Sequence, residues 1–387
     1  MKKTFAIAII AVSIFSGVKA QEDVNAQLNP LITGVPFLTI TPDARAGGMG
    51  DLGVATTPDA SSQYWNPAKY AFMESEVGLT FAYTPWLRRL VDDISLSNLA
   101  AYWRFNERST ISGSFRYFSL GEVTLTDHNG DKMNDVKPSD FAIDAAYTLL
   151  FSEKLSGSVA LRFIRSNLGN IPSSGYDLEP GLSFAADIAA YYTTPIMFAT
   201  GDGNLAFGLN ISNIGSKVSY DGNNTSNFIP TNFRLGTSFD YPIDSYNRIS
   251  VSADLNKLLV PSAPRSGSGN PNFSEDLQKY YDTTPIAGIF KSFGDAPGGF
   301  REELQEIMWS AGLEYAYNKQ FFVRAGYFHE HARKGNRKFF TAGVGFKLNV
   351  FQLDAGYVMS VAQSNPLDGT LRLGLSFDLY GLKNLIN

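Results

Sequence analysis

The chain has 387 residues, a net charge of −5 with both signs interspersed, 13% aromatic residues, 35 glycines and no cysteine. Lack of cysteine excludes disulfide staples, thiol nucleophiles and Cys-based metal sites, and the mild acidic balance argues against nucleic acid as a partner. Past the leader no run reaches the ~18 apolar residues of a spanning helix, so a membrane location would require strands.

Residues 1–20 read as a secretory signal peptide. Lys2 and Lys3 form a positive n-region, Thr4 to Gly17 an apolar h-region, and Val18-Lys19-Ala20 a small-residue cleavage site. Residues 21–77 precede the first strand and include "GGMGDLGVATTPDASSQYWNPAKYAF" (47–72), which follows no clean period. Its glycines permit tight turning, its small side chains suit a confined space, and Asn66-Pro67-Ala68 ends an extended run. We expect 21–77 to be an N-terminal hatch in a barrel lumen, with Asp43, Arg45 and Asp51 paired to charges on the wall.

From Gly78 onward the chain alternates. "LSGSVALRF" sets Leu155, Gly157, Val159, Leu161 and Phe163 against Ser156, Ser158, Ala160 and Arg162, and "LRLGLSFDL" near the end does the same. Period two over nine or more residues is the strand signal, and ~9–11 tilted residues cross a bilayer. Fourteen such segments occur, near 78–86, 94–106, 109–120, 140–151, 154–168, 181–194, 203–214, 232–242, 247–258, 307–318, 320–329, 338–349, 350–362 and 369–380. Short turns such as 106–108 and 152–154 take turns with long stretches such as 121–139, 215–231 and 259–306, while 193–204 is the least comfortable short turn. The expected fold is all-β: a 14-stranded antiparallel transmembrane β-barrel over 78–387 with the hatch in its lumen. A soluble β-sandwich is the competing architecture. Against it stand the strand lengths, aromatics gathered near strand ends (Tyr191-Tyr192, Tyr315, Tyr317, Tyr380), and a polar face carrying Arg116, Asp144, Arg162, Asp187, Arg234, Glu314, Arg324, Asp354 and Arg372.

Loops offer the surfaces. "PWLRRLVDDI" (85–94) presents Trp86 and Leu87 beside Arg88, suited to a protein interface or to the bilayer surface. In the extracellular loop 259–306, "SEDLQKYYD" (274–282) reads as a short helix with a Ser N-cap. "GGFREELQEI" places Phe300, Leu304 and Ile307 on one stripe beside a charged face. The basic run 331–338 reads as a solvated loop that touches lipopolysaccharide. His329 and His331 could share a face, but no third metal ligand is specified, and "DHNGDKMND" departs from the EF-hand loop because Lys132 holds the glycine position. No catalytic residue or cofactor site is expected.

A hatch followed by fourteen strands, with "NPA" ahead of the first, resembles the FadL group of outer-membrane proteins, which carry hydrophobic compounds. Three longer stretches are similar to the PorV family, the FadL-like component of type IX secretion in Bacteroidota: "ITPDARAGGMGDLGVATTPDASSQYWNPAKYAF", "FAYTPWLRRLVDDISLSNLAAYWRF" and "IFKSFGDAPGGFREELQEI". The resemblance implies a non-catalytic outer-membrane protein. It implies binding of secreted cargo by its C-terminal signal domain at the SprA-type translocon, and delivery to the PorU-type sortase. The alternative is a FadL-like transporter of hydrophobic small molecules, and a third reading is a lipid-modifying enzyme.

Overall fold

The structure, a computed structural model, describes residues 28–126, 129–169, 179–222, 225–264, 272–361 and 367–379. The expected leader lies outside the described residues, as do His128 and Tyr380.

The first strands are β1 (Val77–Pro85), β2 (Ser95–Arg104) and β3 (Ser109–Ser119), followed by a separate hairpin, β4 (Val123–Thr126) and β5 (Lys132–Val136). The wall continues with β6 (Ser139–Ser152), β7 (Leu155–Asn167), β8 (Gly181–Phe198), β9 (Gly201–Gly215) and β10 (Asn232–Pro242). It ends with β11 (Asn247–Leu258), β12 (Met308–Tyr317), β13 (Phe321–His329), β14 (Lys338–Leu348), β15 (Phe351–Ser360) and β16 (Leu371–Asp378). The fourteen wall strands form one closed barrel, with β1 joined to β16 from Gly78↔Asp378 to Tyr83↔Leu373. A single closed sheet, rather than two packed sheets, excludes the sandwich. Closure gives every wall strand a partner on both sides, which a water-free bilayer core demands.

Alternation has become two surfaces. On β7, Val159 and Leu161 are 54% and 69% exposed outside, while Ser158, Ala160 and Arg162 are buried inside. Such a surface suits hydrocarbon, not water. Tyr192, Tyr315 and Tyr317 lie on the outer face. Tyr191, expected beside them, is instead buried inside against Phe72, ring centroids 5.5 Å apart. One residue's shift along a strand exchanges faces.

Short turns sit at one end of the barrel and the long loops at the other, which makes the long-loop end the outer one. The stretch 193–204 is not a turn. β8 and β9 continue to a tight turn at Ala199-Thr200, past the last β7 partner at Leu155↔Tyr192. The loop 121–139 holds the β4–β5 hairpin, too short to leave a periodic signal.

Between residues 35 and 72 the chain forms two 3₁₀ turns (Pro36–Thr39, Pro67–Phe72) and two single-turn helices, α1 (Ala44–Gly47) and α2 (Ser62–Trp65). α1 touches β14, β15 and β16, whereas 67–72 touches β6, β7 and β8 across the ring, so this segment crosses the inside. Two glycines show how close the approach is. Gly50 holds φ +79° with the Tyr327 backbone against it, and a Cβ on Gly208 would stand 2.1 Å from the Val54 carbonyl oxygen. The loop between β11 and β12 carries α3 (Phe273–Asp282), α4 (Pro285–Lys291) and α5 (Phe300–Gln305). The N-cap of α3 is Asn272, not Ser274, because the helix begins two residues earlier than a Ser274 cap would set.

Candidate binding surfaces at the outer mouth

The inner segment is pinned by polar side chains at both ends. Asp43 caps α1 by accepting from the Ala46 N–H at 2.8 Å, and Trp65 Nε1 donates to its other oxygen at 2.7 Å. Asp43 thus stays within the segment instead of pairing with the wall. Arg45 reaches Glu314 at 2.9 Å and Asp59 at 2.6 Å, and Asp51 accepts from Arg372 at 2.5 Å. Asp254 accepts from the Gly53 and Val54 N–H groups at 2.8 and 3.0 Å. Around them the wall pairs its own charges, Arg162 with Asp144 and Asp187, Arg324 with Glu314 and Asp354. Buried charges demand such partners, because an unpaired one is severely destabilising.

The Asn66-Pro67-Ala68 tripeptide is a wall anchor. Asn66 Oδ1 accepts from the Ala68 N–H at 3.1 Å, and its Nδ2 donates to the Val54 and Ala190 carbonyls at 3.0 and 2.9 Å. The Pro67 and Ala68 carbonyls accept from Thr148 and Ser156 at 3.0 and 2.6 Å. All three residues are buried, so they fix the segment and face no external ligand.

Above this polar layer the inward face changes character. Leu96, Phe118, Ile164, Met308, Phe328, Phe339 and Val358 point inward at the outer ends of their strands. Val35, Phe37 and Leu38 of the inner segment pack among them, with Val218 and Ile229 from the loop after β9. A cavity of about 780 Å³ opens here, walled by Phe37, Trp86, Phe118, Phe328 and Phe339 and floored by Asp51, Arg234 and Arg372. None of these wall residues except Trp86 was anticipated. The available signal was an apolar residue on the polar parity, repeated at the outer end of strand after strand.

The six loop residues expected to meet partners form two separate groups. Trp86 and Leu87 turn into the mouth, where Trp86 packs against the cluster of Phe37 and Phe118. Trp86 is therefore no lipid-facing anchor. Arg88 is exposed, and the following Leu90 and Val91 are 66% and 44% exposed. Phe300, Leu304 and Ile307 sit elsewhere, along a lateral crevice against the outside of β10 and β11.

The acidic face of α5 explains that division. Glu302 and Glu306 are buried and accept from Lys334 at 2.8 and 2.9 Å, while Glu303 and Glu306 receive Lys257 at 3.1 and 2.5 Å. Lys334, expected in a solvated basic loop, is thereby buried, and Arg337 donates to Glu330 at 2.8 Å. Burial raises the Glu302 carboxyl, but its bonds from Lys334 and Asn29 and the lysine charge outweigh this and hold it near a pKa of about 2. Asp295 goes the other way. Burial, followed by repulsion from Glu303 and Glu306, lifts it to about 6 despite a hydrogen bond from the Ser262 N–H.

Other motifs resolve locally. His329 stacks on Trp309 with centroids 5.2 Å apart, and His331 Nδ1 accepts from the Arg333 N–H at 3.2 Å. Asp135 pairs with Lys132 at 2.6 Å inside the β4–β5 hairpin, and Asp127 and His128 lie outside the described residues. Among the described residues no group of three or more His, Asp or Glu could hold a metal ion.

The family model described as "Type IX secretion system protein PorV" matches residues 23–265. The chain belongs to the PorV family. Among solved structures, this PorV-family barrel is similar to the Pseudomonas putida toluene transporter TodX, at 10% identity, covering 91% of this chain and 99% of that one, with a TM-score of 0.51. A TodX mutant described as a monoaromatic hydrocarbon channel matches at 10% identity, 87% and 98% coverage and TM-score 0.50. A Pseudomonas aeruginosa FadL homologue follows at 12% identity, 91% and 100% coverage and TM-score 0.44. At these identities the likeness is one of fold. No curated protein matches the sequence. A PorV-family barrel of this kind is an outer-membrane component of the type IX secretion system.

Proposed function

We propose that the chain is a cargo carrier of type IX secretion. It binds secreted proteins by their C-terminal signal domain at the SprA-type translocon and hands them to the PorU-type sortase for attachment. Residues 21–77 act as a plug that keeps the barrel from conducting, so that traffic runs over the outer face. Trp86, Leu87 and Arg88 contact the partner, with Leu90 and Val91 beside them.

One observation carries this reading beyond family membership. The polar layer under the mouth is crossed by a segment tied to opposite walls, while the outer end exposes an aromatic-lined recess. A recess closed below and open above suits reception of a partner's loop better than passage of a chain. An aromatic anchor beside an arginine is the composition that concentrates binding energy at interfaces.

The recess also favours a second reading. Its volume of about 780 Å³ falls in the range of small-molecule sites, and its walls are mostly apolar. A transporter of hydrophobic small molecules would use it as an antechamber.

Gentle extraction from the native outer membrane, followed by mass spectrometry of what co-purifies, separates the two. A very large barrel, a surface protease or proteins sharing one C-terminal domain are expected. Lipids or fatty acids alone, under several detergents, would sink the carrier and favour the transporter.

A further inference from the structure

The lateral crevice, about 270 Å³ in volume, lies apart from the mouth. It is lined mostly by apolar side chains, Phe233, Leu235 and Leu255 from the wall and Phe293, Phe300 and Leu304 from the long loop, with the mutually paired Lys257 and Glu303 also on its lining. Its floor belongs to the outward, lipid-facing surface. Leu235 and Leu255 are register partners, 45% and 49% exposed, and Leu255 pairs onward with Trp309. Leu235 lies three residues below Asn232, the first residue of β10, and Leu255 three below Leu258, the last of β11. At ~3.3 Å per residue and a tilt of ~40°, the floor is roughly 7–8 Å beneath the strand tops. The loop therefore reaches down over the outside of the wall, into the apolar band.

The side chains of α5 are sorted accordingly. Glu302 and Glu306, the latter its C-cap, bind Lys334 on the side of the mouth, while Glu303 and Glu306 receive Lys257 at the crevice. Phe300 and Leu304 line the crevice yet stay 77% and 52% exposed, with Phe293 beside them at 58%, and Ile286 and Phe290 on α4 are 57% and 74% exposed. Water would not favour so many large exposed apolar side chains in one loop, whereas the membrane boundary does. The crevice is continuous with the wall that already meets hydrocarbon, and that continuity names the occupant.

We propose that the crevice holds an acyl chain of an outer-leaflet lipid, with α5 embedded at the membrane boundary. This goes beyond the secretion reading and does not depend on it.

The chain has no cysteine, so one introduced thiol carries one label. Phe300→Cys and Leu304→Cys, each spin-labelled and placed in vesicles of phosphatidylethanolamine and phosphatidylglycerol, report the surroundings directly. Val251→Cys, outward on β11 and 50% exposed, serves as the lipid reference, and Glu275→Cys on α3 as the water reference. At 300 and 304 the collision rate with oxygen should exceed that with a water-soluble nickel complex several-fold, as at 251. A ratio reversed to that at 275 overturns the proposal. So does a label at 304 that, in native membranes, is shielded from both reagents until the secretion complex is dissolved, because a protein would then fill the crevice. Both labelled positions are exposed, so neither variant is expected to prevent folding, and the outer reference at 251 checks barrel assembly.

Discussion

Replacing Asp51 by Asn breaks one defined link between the inner segment and the wall. Asp51 receives both terminal nitrogens of Arg372, at 2.5 and 3.2 Å, across 321 residues of sequence. Arg372 has a side-chain exposure of 3% and no second carboxylate partner among the described residues, so the substitution strands a buried guanidinium. Asn suits the backbone, since Asp51 sits at φ +57° and Asn tolerates that region. Breaking a buried pair costs ~3–5 kcal/mol. Both residues border the mouth cavity, and Asp51 is 14% exposed, so water relieves part of the penalty and about 3 kcal/mol is the expected cost. At ~1.4 kcal/mol per tenfold, the population in which the segment has left the wall should rise about 100-fold. A single thiol at Ala55→Cys, buried in the native chain, reports that opening through its rate of alkylation by a bulky maleimide under conditions of fast reclosing. Adding Arg372→Met to Asp51→Asn should recover part of the loss, because the unpaired charge is gone. An alkylation rate within threefold of the parent would refute the reasoning, and so would a double variant that opens more than the single one.

Three further outcomes follow from the same geometry. Gly208→Ala should force Val54 off the wall and cost ~1–3 kcal/mol as overpacking, seen as loss of the folded species in heat-modifiable gel mobility, while Val251→Ala on the lipid face should not. Trp86→Ala should leave the barrel folded yet weaken cargo capture by about 2 kcal/mol or more, roughly 30-fold, in a titration with an isolated C-terminal signal domain; unchanged affinity would remove Trp86 from the interface. Asp295 is raised in the folded state to about 6, so its contribution to loop stability is full below the unfolded value of 3.8 and is lost as pH rises through about 6. A spin label at Gly294→Cys, where nothing crowds an added side chain, should accordingly be less mobile at pH 5 than at pH 7.5, and Asp295→Asn should abolish the difference.

The strands were legible because each one separates two solvents. Hydrocarbon outside and a polar interior impose period two on every strand, and β10 and β11 begin and end where the alternation does. The presence of a non-periodic, glycine-rich stretch ahead of the first strand was equally plain, as were inward charges in need of partners. Which charge meets which was not. Alternation assigns a residue to a face but says nothing of what stands opposite it, so Arg372 with Asp51, Arg45 with Glu314, and Lys334 with Glu302 and Glu306 arise only once the ring has closed. Loops carry no period at all. Trp86 could have faced lipid or lumen, and only the fold turned it into the mouth. The same holds for Phe300 and Leu304. Their helical spacing made a stripe, but the pairing of Glu302, Glu303 and Glu306 with Lys257 and Lys334 decided that the stripe lies against the outer wall.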